Sequence, residues 1–369
     1  MHDKEIIGQQ KHVSRMKKIG ISDVARRAGV SKATVSLVLN NKESGIRISE
    51  RTRQKVLQAA EELNYYPNYG ARLLSTGKSC VLGVLTVNEK SLFLSDYDGR
   101  IMQGISAVAH ENGYNIMILD EGLLSRKGIS GGSNLITGKF LDGLMIFSPD
   151  TEDPRLRAIV DIVSDAGIPF VYVWRKGGER PASTVMVDNV KAAEVGTEYL
   201  ISLGHRRIAF VSLGERSFSG QERLQGYIRT LTAHGISIDE RLIRQDIFKS
   251  FVPERMSDES RIMDLMNQPQ PPTALFVVFD PLAINIMKVL QKEGYSVPQD
   301  VSVLGFGNVT MSAYAQPSLS TLNEPLEEFG KHAAQLLVEQ IENRDGTNGI
   351  REVVLNAELV IRESCRAVG

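Results

Sequence analysis

Residues 21–40 read ISDVARRAGVSKATVSLVLN, and this stretch constrains the chain more than any other. Ala25, Gly29 and Val35 stand at the spacing of a helix-turn-helix. Two short helices that cross steeply need a small side chain at the crossing, here Ala25. The turn needs a residue at ease with positive φ, here Gly29. Val30 and Val35 would fill the corner. Ser31 is placed to cap a second helix running from about Lys32 to Leu39. An ordinary αα-hairpin can carry the same residues, so the neighbourhood matters. Ser49-Glu50-Arg51-Thr52 opens a third amphipathic stretch, with Val56, Leu57, Ala60 and Leu63 expected to face inward and close a three-helix headpiece. Tyr65-Tyr66-Pro67-Asn68 follows, then a short segment ending Ala71-Arg72-Leu73-Leu74.

Charge is segregated along the chain. Residues 1–78 hold 15 Lys and Arg against 7 Asp and Glu, a net of +8, whereas the whole chain nets −1. The remainder, 79–369, therefore nets −9. A basic headpiece on an acidic body reads as a phosphate-binding module with a separate function behind it. The second helix is the one that would enter a DNA major groove.

At 369 residues the chain exceeds one core and predicts two or three domains. No run of about 18 apolar residues marks a membrane span. The first residues, MHDKEIIGQQKHVSRMKK, lack the apolar stretch of a signal peptide and read as a polar tail, with Met16 an alternative start. The expectation is a cytoplasmic, nucleoid-associated protein. Cys80 and Cys365 are the only cysteines, expected reduced and too few for a zinc site. Gly77-Lys78-Ser79 resembles the end of a phosphate-binding loop, but its first glycine would fall on Arg72, so that reading is rejected. The six histidines form no catalytic or metal-ligand pattern. No cofactor, metal site or enzymatic activity is expected. His205, in Leu-Gly-His-Arg-Arg, reads as a structural turn residue.

From residue 80 the pattern alternates. Short apolar runs occur at 81–87, 115–119, 144–147, 170–173, 208–211, 274–278 and 302–306. Amphipathic stretches at 100–112, 190–203, 222–234 and 282–293 lie between them, and Gly113, Gly167, Gly204, Gly235 and Gly294 fall where helices should close. Continuous apolar strands alternating with helices predict parallel sheets covered on both faces. The fold class expected is an all-α headpiece plus an α/β core of two doubly wound subdomains. The predicted divisions are a disordered tail at 1–17, a headpiece at 18–64, a hinge and linker at 65–78, and a core at 79–369. Facing strand ends in such a core make a cleft for a small molecule.

Together with LNYYPN, DGLMIF, VDNVKAAEVGTEYLISLGHRRIAFV, ERLQGY, PPTALFVVFD, VPQDVSVLGFGN and QPSLSTL, the opening motif resembles the lactose-repressor and galactose-repressor family of bacterial transcription regulators. The resemblance covers about residues 18–363. It implies a core like that of periplasmic sugar-binding proteins, a homodimer on a near-palindromic operator, and a small effector in the cleft. Lys32, Ala33 and Leu37 fall where family members read bases. Lys32 can reach guanine acceptors or phosphate, and Ala33 and Leu37 can offer apolar contact to a thymine methyl. Leu37 departs from the polar residues often found there, and a place in the headpiece core is its other reading. Ser22, Ser31, Thr34, Ser36, Asn40 and Asn68 are placed for backbone or phosphate contacts. Pro67–Ser75 matches the family's hinge helix, too short to order alone. Leu74 matches the leucine wedged into the minor groove, flanked by Ala71 and Arg72; packing on the core is its alternative.

The cleft departs most from the family pattern. Trp174, Phe279 and Gly307 stand where an acidic residue, an Asn and an Asp often hold the ligand. Arg223 keeps the family's ligand-binding arginine, Tyr97 matches an aromatic that lies over the ligand, and Asp98 replaces a second aromatic. Arg223 suits a carboxylate or another acceptor by bidentate bonding, and the aromatics suit a flat or apolar ring face. The expected effector is a sugar derivative, sugar acid or other ring compound with an anionic or acceptor group, simple hexoses binding weakly. In the alternative reading, Trp174 and Phe279 fill an idle cleft. Asp188 and Asn189 match a family pair near the cleft, or cap the following helix; Asp280 is expected to cap the helix after its strand.

The function expected is a sequence-specific DNA-binding regulator, a repressor, switched by its effector through a two-state cleft. A cytoplasmic sensing or solute-binding protein without an operator is the second reading, and an enzyme on the same core the third. With no leucine heptads after Leu359–Ile361, the assembly expected is a dimer and not a tetramer.

Overall fold

The computed structural model describes residues 19–39, 48–65, 77–86, 96–120, 136, 138, 140–147, 154–174, 180–214, 217–250, 255–343 and 349–368. Asn40, Asn68, Ala71, Arg72, Leu74 and the predicted hinge helix lie outside them. The chain divides into two compact units, Met1–Lys78 and Ser79–Gly369.

The first unit is built from α1 (Ile21–Ala28), α2 (Lys32–Leu39) and α3 (Glu50–Glu62). Gly29 ends α1 at φ 68°, a left-handed conformation open to glycine without strain. The Ser31 hydroxyl accepts from Thr34 N–H at 3.1 Å, and Ser49 accepts from Thr52 N–H at 3.2 Å, so both predicted caps form. Val24, Val35 and Val56, one from each helix, are fully buried and meet Ala25, Val38, Ala59 and Ala60 in a small core. Leu57 corrects the expectation: it is 43% exposed, because Ala59 and Ala60 occupy the inner face instead. Arg27 Nε donates to Glu62 at 2.7 Å and ties α1 to α3.

The second unit holds two six-stranded sheets. The first takes β1 (Val81–Thr86), β2 (Asn115–Asp120), β3 (Gly143–Phe147), β4 (Phe170–Val173) and β5 (Ser183–Val187). The second takes β6 (Ile208–Val211), β7 (Ile243–Arg244), β8 (Ala274–Val277), β9 (Ser302–Phe306) and β10 (Ser320–Asn323). The sixth strand of each comes from the end of the chain: β11 (Glu352–Leu355) joins β5 in parallel, and β12 (Glu358–Val360) joins β10 antiparallel. The order is β11-β5-β4-β3-β1-β2 in one sheet and β12-β10-β9-β8-β6-β7 in the other. The chain therefore passes between the two lobes three times, a feature the apolar runs do not disclose. β12 is the exception to the parallel sheets expected.

The helices follow the alternation: α4 (Asp96–Glu111), α5 (Pro154–Asp165), α6 (Asn189–Ser202), α7 (Phe218–Ala233), α8 (Glu259–Met266), α9 (Asp280–Lys292), α10 (Thr310–Tyr314) and α11 (Leu326–Glu342). The five glycines expected to close helices all take positive φ. One helix pair in each lobe packs backbone to backbone. A Cβ on Gly104 of α4 would lie 2.0 Å from the Glu327 carbonyl of α11. A Cβ on Gly226 of α7 would lie 2.2 Å from the Val190 carbonyl of α6. Both sheets carry fully buried strands, as β3, β8 and β9 illustrate, so the apolar runs were continuous and not alternating.

Candidate functional site

In the first unit, α2 divides its residues by face. Val35 and Val38 are buried, while Lys32 and Ala33 are exposed and Thr34, Ser36 and Leu37 are partly so. Leu37 lies apart from the apolar residues that pack on the headpiece core, which are Ile21, Ala28, Val30, Leu39, Ile48, Leu63 and Tyr65. Ser22, at the start of α1, is half-buried. Ser31 and Thr34 share a hydroxyl contact of 2.9 Å that leaves the start of α2 well capped.

In the second unit, Arg223 lies at the centre of a buried polar group of the second lobe. Its α7 carries it from the second lobe, and it is 7% exposed. Its Nε donates to Asn189 Oδ1 at 2.8 Å, and Nη1 donates to the Val278 carbonyl at 2.8 Å. Nη2 pairs with Glu324 Oε1 at 3.2 Å, and the guanidinium lies 3.5 Å from the centroid of the Phe306 ring. Glu324 follows β10, where the chain returns toward the first lobe, and is 3% exposed.

Glu324 changes the electrostatic reading. The expectation gave Arg223 a ligand with an anionic or acceptor group as its partner. In the structure a buried carboxylate, Glu324, already balances it, as burial of a charge requires. Burial pushes the Glu324 carboxyl upward in pKa, and Arg223 opposes that push. The Tyr97 hydroxyl, reaching in from α4 of the first lobe, interacts with the same carboxylate. Tyr97 itself is raised well above the usual phenol value, by burial first and by the Glu324 charge second.

Gly307 sits beside both groups. A Cβ there would be 3.7 Å from Tyr97 Cδ2 and 3.9 Å from Glu324 Oε2, and φ of 123° disfavours any side chain. The carboxylate that the family pattern places at 307 is thus absent from that loop, and Glu324 brings one to the same spot from β10. Sequence reasoning missed Glu324. The signal available was its place in LSTLNEP, at the end of a strand whose start had been recognised only as a motif.

Trp174 stands at the end of β4 at φ 73°, and its ring lies 6.0 Å from Tyr97 and 5.1 Å edge-on from Phe147. Asp98 is buried next to Tyr97. Phe279 is only loosely part of this group: it is half-buried and packs against the core of the second lobe. The two readings of Asp188 and Asn189 divide between the residues. Asp188 caps α6, accepting from Lys191 N–H at 2.9 Å. Asn189 is buried and bridges Arg223 and Glu222, its Nδ2 donating to Glu222 at 3.0 Å.

Asp280 corrects another expectation. Phe279 holds the N-cap position of α9, and Asp280 turns inward. It accepts from Val309 N–H at 3.2 Å, Ser312 Oγ at 2.6 Å and Thr321 Oγ1 at 2.7 Å, fixing the loop that contains Gly307. Burial pushes its carboxyl upward in pKa, against these hydrogen bonds. His205 is structural, as expected: Nδ1 meets Thr273 Oγ1 at 2.9 Å, and Nε2 meets the Arg366 carbonyl at 3.1 Å.

Comparison with known proteins places these features. The profile of bacterial regulatory proteins of the lacI family matches residues 20–68, and that of the periplasmic binding protein-like domain matches 197–365. The HTH-type transcriptional regulator CelR of Thermobifida fusca is 32% identical over 95% of this chain and 100% of its own length. The chain belongs to the LacI family of bacterial transcription regulators. The HTH-type transcriptional repressor PurR of Vibrio parahaemolyticus is 31% identical over 94% of this chain and 98% of its own. Among solved structures, the lac repressor dimer bound to operator and the anti-inducer ONPF superposes with a TM-score of 0.76 at 26% identity, covering 95% of this chain and 100% of that one. The CelR–cellobiose complex gives 0.67 at 29%, covering 94% and 99%. This LacI-family chain is a transcriptional regulator with a DNA-binding headpiece and an effector-binding core. No described helix is long and apolar enough to cross a membrane, and the described residues contain no cluster able to hold a metal ion.

Proposed function

We propose that this LacI-family protein is a homodimeric repressor whose headpieces read a near-palindromic operator and whose core cleft binds the effector that releases or strengthens that hold. Residues 18–64 form the DNA-reading module, 65–78 the hinge and 79–369 the sensing and dimerising core. Lys32, Ala33 and Leu37 read bases in the major groove, with Ser22, Ser31, Thr34, Ser36, Asn40 and Asn68 on the DNA backbone. Leu74 wedges the operator centre between Ala71 and Arg72. The protein works by binding and not by catalysis, in the cytoplasm and on the nucleoid.

The observation that carries the switch is the meeting of Tyr97 from the first lobe with the buried Arg223–Glu324 pair of the second. A small molecule held by Tyr97, Asp98, Trp174, Arg223, Phe279 and Gly307, with Glu324 added, touches both lobes and so has a differential affinity for their two arrangements. That the solved CelR structure carries cellobiose makes sugars the first ligands to try.

Operator fragments selected from a random pool by the full-length protein test the reading. Selection of an inverted repeat, lost in Leu74→Ala and kept in Arg223→Gln/Glu324→Gln, supports it. That double variant leaves no unpaired buried charge, and it should no longer respond to effector. Failure to enrich any sequence would favour the alternative, a sensing protein without an operator.

A further inference from the structure

The first residues of the core are gripped by one side chain. Asp142, just before β3, is 4% exposed. Its Oδ1 accepts from the Ser79 backbone N–H at 2.8 Å, and its Oδ2 from the Cys80 N–H at 2.8 Å. Bonds to a charged acceptor are roughly twice as strong as neutral ones. The same short stretch is tied further. Val81 N–H donates to the Ser79 hydroxyl at 3.2 Å, Asn115 N–H to the Cys80 carbonyl at 2.8 Å, and Asp142 N–H to the Val81 carbonyl at 2.9 Å. Between these bonds Cys80 takes φ of 53°, a left-handed backbone uncommon outside glycine. Such a conformation persists only where its surroundings impose it. Ser79 is also where the second compact unit begins, so the clamp closes on the point at which the chain enters the core.

Asp142 is held in turn from the cleft. At Gly143, next to it, a Cβ would lie 2.7 Å from Leu337 Cδ1 and 2.9 Å from Ile341 Cδ1. Both side chains belong to the last turns of α11, whose first turn follows Glu324. With 17 residues, α11 is about 25 Å long. It is seated backbone to backbone on α4, since a Cβ on Gly330 would fall 2.0 Å from the Ile101 carbonyl. The helix is therefore a stiff rod with the Arg223–Glu324 pair at one end and the Asp142 clamp at the other. A shift between the lobes that moves Glu324 moves the rod, and the rod carries the clamp.

We propose that Asp142 is the positioning residue of operator binding: by clamping Ser79 and Cys80 it gives the hinge segment one direction of exit from the core, set by α11. The second headpiece of a dimer reaches its half-site intramolecularly. Its effective concentration there falls when the connection can point many ways. Binding to random sequence rests on phosphate charge and needs no fixed spacing, so it depends much less on that direction. The inference rests on the operator reading proposed above and adds the residue through which the core acts on the headpieces.

Fluorescence anisotropy of the full-length protein on two duplexes tests it. One is the inverted repeat that the parent selects from a random pool, the other a scrambled duplex of the same composition. Asp142→Asn, which replaces one acceptor by a donor, should weaken the inverted repeat tenfold or more and the scrambled duplex less than twofold. Cys80→Val, whose branched side chain resists positive φ, should do the same with Asp142 in place. Cys80→Asn, which tolerates that backbone, should bind both duplexes within twofold of the parent. Two glycines inserted between Lys78 and Ser79 keep the clamp and remove its direction, so they should give the same selective loss. Adding Asp142→Asn to the insertion should then cost less than twofold more. An Asp142→Asn affinity for the inverted repeat within twofold of the parent overturns the proposal. So do equal losses on both duplexes, which mark a residue that only stabilises the fold, and so does full additivity with the insertion. Should Asp142→Asn fail to fold, the Cys80 variants decide, and equal binding by Cys80→Val and Cys80→Asn overturns the clamp. A parent that enriches no inverted repeat removes the operator reading itself, and the proposal with it.

Discussion

Asp96 of α4 and Thr310 of α10 join the two lobes of the core: the Asp96 carboxylate accepts from the Thr310 backbone N–H at 2.7 Å and from its hydroxyl at 2.9 Å. Four residues further along α4, Arg100 donates to the Asn308 carbonyl at 3.0 Å. Both contacts engage the loop that Asp280 fixes from below and that carries Gly307. A ligand touching Tyr97 on one side and that loop on the other therefore acts on the same elements that these bonds hold together. The contacts form a latch between the two lobes.

Removing the latch should weaken the effector without touching it. Asp96→Ala deletes both bonds, and each exposed hydrogen bond contributes about 0.5–1 kcal/mol net. Effector affinity should fall roughly five- to thirtyfold, with Thr310→Val, which keeps the N–H, giving a smaller loss. Calorimetry with a sugar that binds the parent protein measures both. Unchanged affinity in Asp96→Ala would show that the bonds do not bias the lobes.

Gly104→Ala and Gly226→Ala should each destabilise one lobe. The added methyl carbons would stand 2.0 Å from the Glu327 carbonyl and 2.2 Å from the Val190 carbonyl, both rigid backbone atoms of a facing helix. Relief requires the helices to separate, at about 1–3 kcal/mol or more. Urea melts of the two variants, followed by circular dichroism, check this. Gly113→Ala, where a Cβ meets nothing within 4 Å but φ is 70°, should cost less, through backbone strain alone.

The headpiece was the most legible part of the sequence because its signals are local. Ala25, Gly29, Ser31 and Val35 lie within a few residues of one another, and each has a role set by its own backbone position. The strands β3, β4, β6, β8 and β9 were legible for the related reason that buried parallel strands are written as unbroken apolar runs. Leu57 misled because Ala59 and Ala60 satisfy the same periodicity with less bulk. The exchange of β11 and β12 between lobes, and the pairing of Arg223 with Glu324, were not legible. The β11–β5 and Arg223–Glu324 pairings join residues about 100 or more positions apart, and no local pattern announces which distant carboxylate will meet a buried guanidinium. Arg223 was therefore read from the sequence without its partner.

Operator binding should depend steeply on salt, and Lys32 should account for part of that dependence. Lys32 is exposed at the first turn of α2, and residues 16–78 carry a net charge of +7. Each phosphate contact contributes about 0.9 to the slope of log affinity against log salt. If Lys32 meets phosphate, Lys32→Ala lowers the slope by about one on every sequence; if it reads guanine, the variant relaxes one operator position at nearly the same slope. Fluorescence anisotropy across a salt series separates the outcomes. A slope near zero for the parent protein would remove the phosphate-binding role of the headpiece.

The core should lose stability on mild acidification, and His205 supplies the reason. Its ring is 3% exposed between Thr273, Ser302 and the Arg366 carbonyl, where it ties the end of the chain to the second sheet. Nε2–H serves as donor to the carbonyl, leaving Nδ1 to accept from Thr273. Burial lowers its pKa from the ordinary 6.5, outweighing the bond to Arg366 that raises it. The folded state therefore binds fewer protons than the unfolded chain once pH falls through 6.5, so stability declines as pH decreases from there toward the folded value. Melting temperatures of the full-length protein should fall between pH 7.5 and pH 5.5 (about one unit to either side of an ordinary imidazole). His205→Gln should begin less stable at neutral pH and show a flatter profile over the same range. A profile as steep in His205→Gln as in the parent would assign the acid sensitivity to another group.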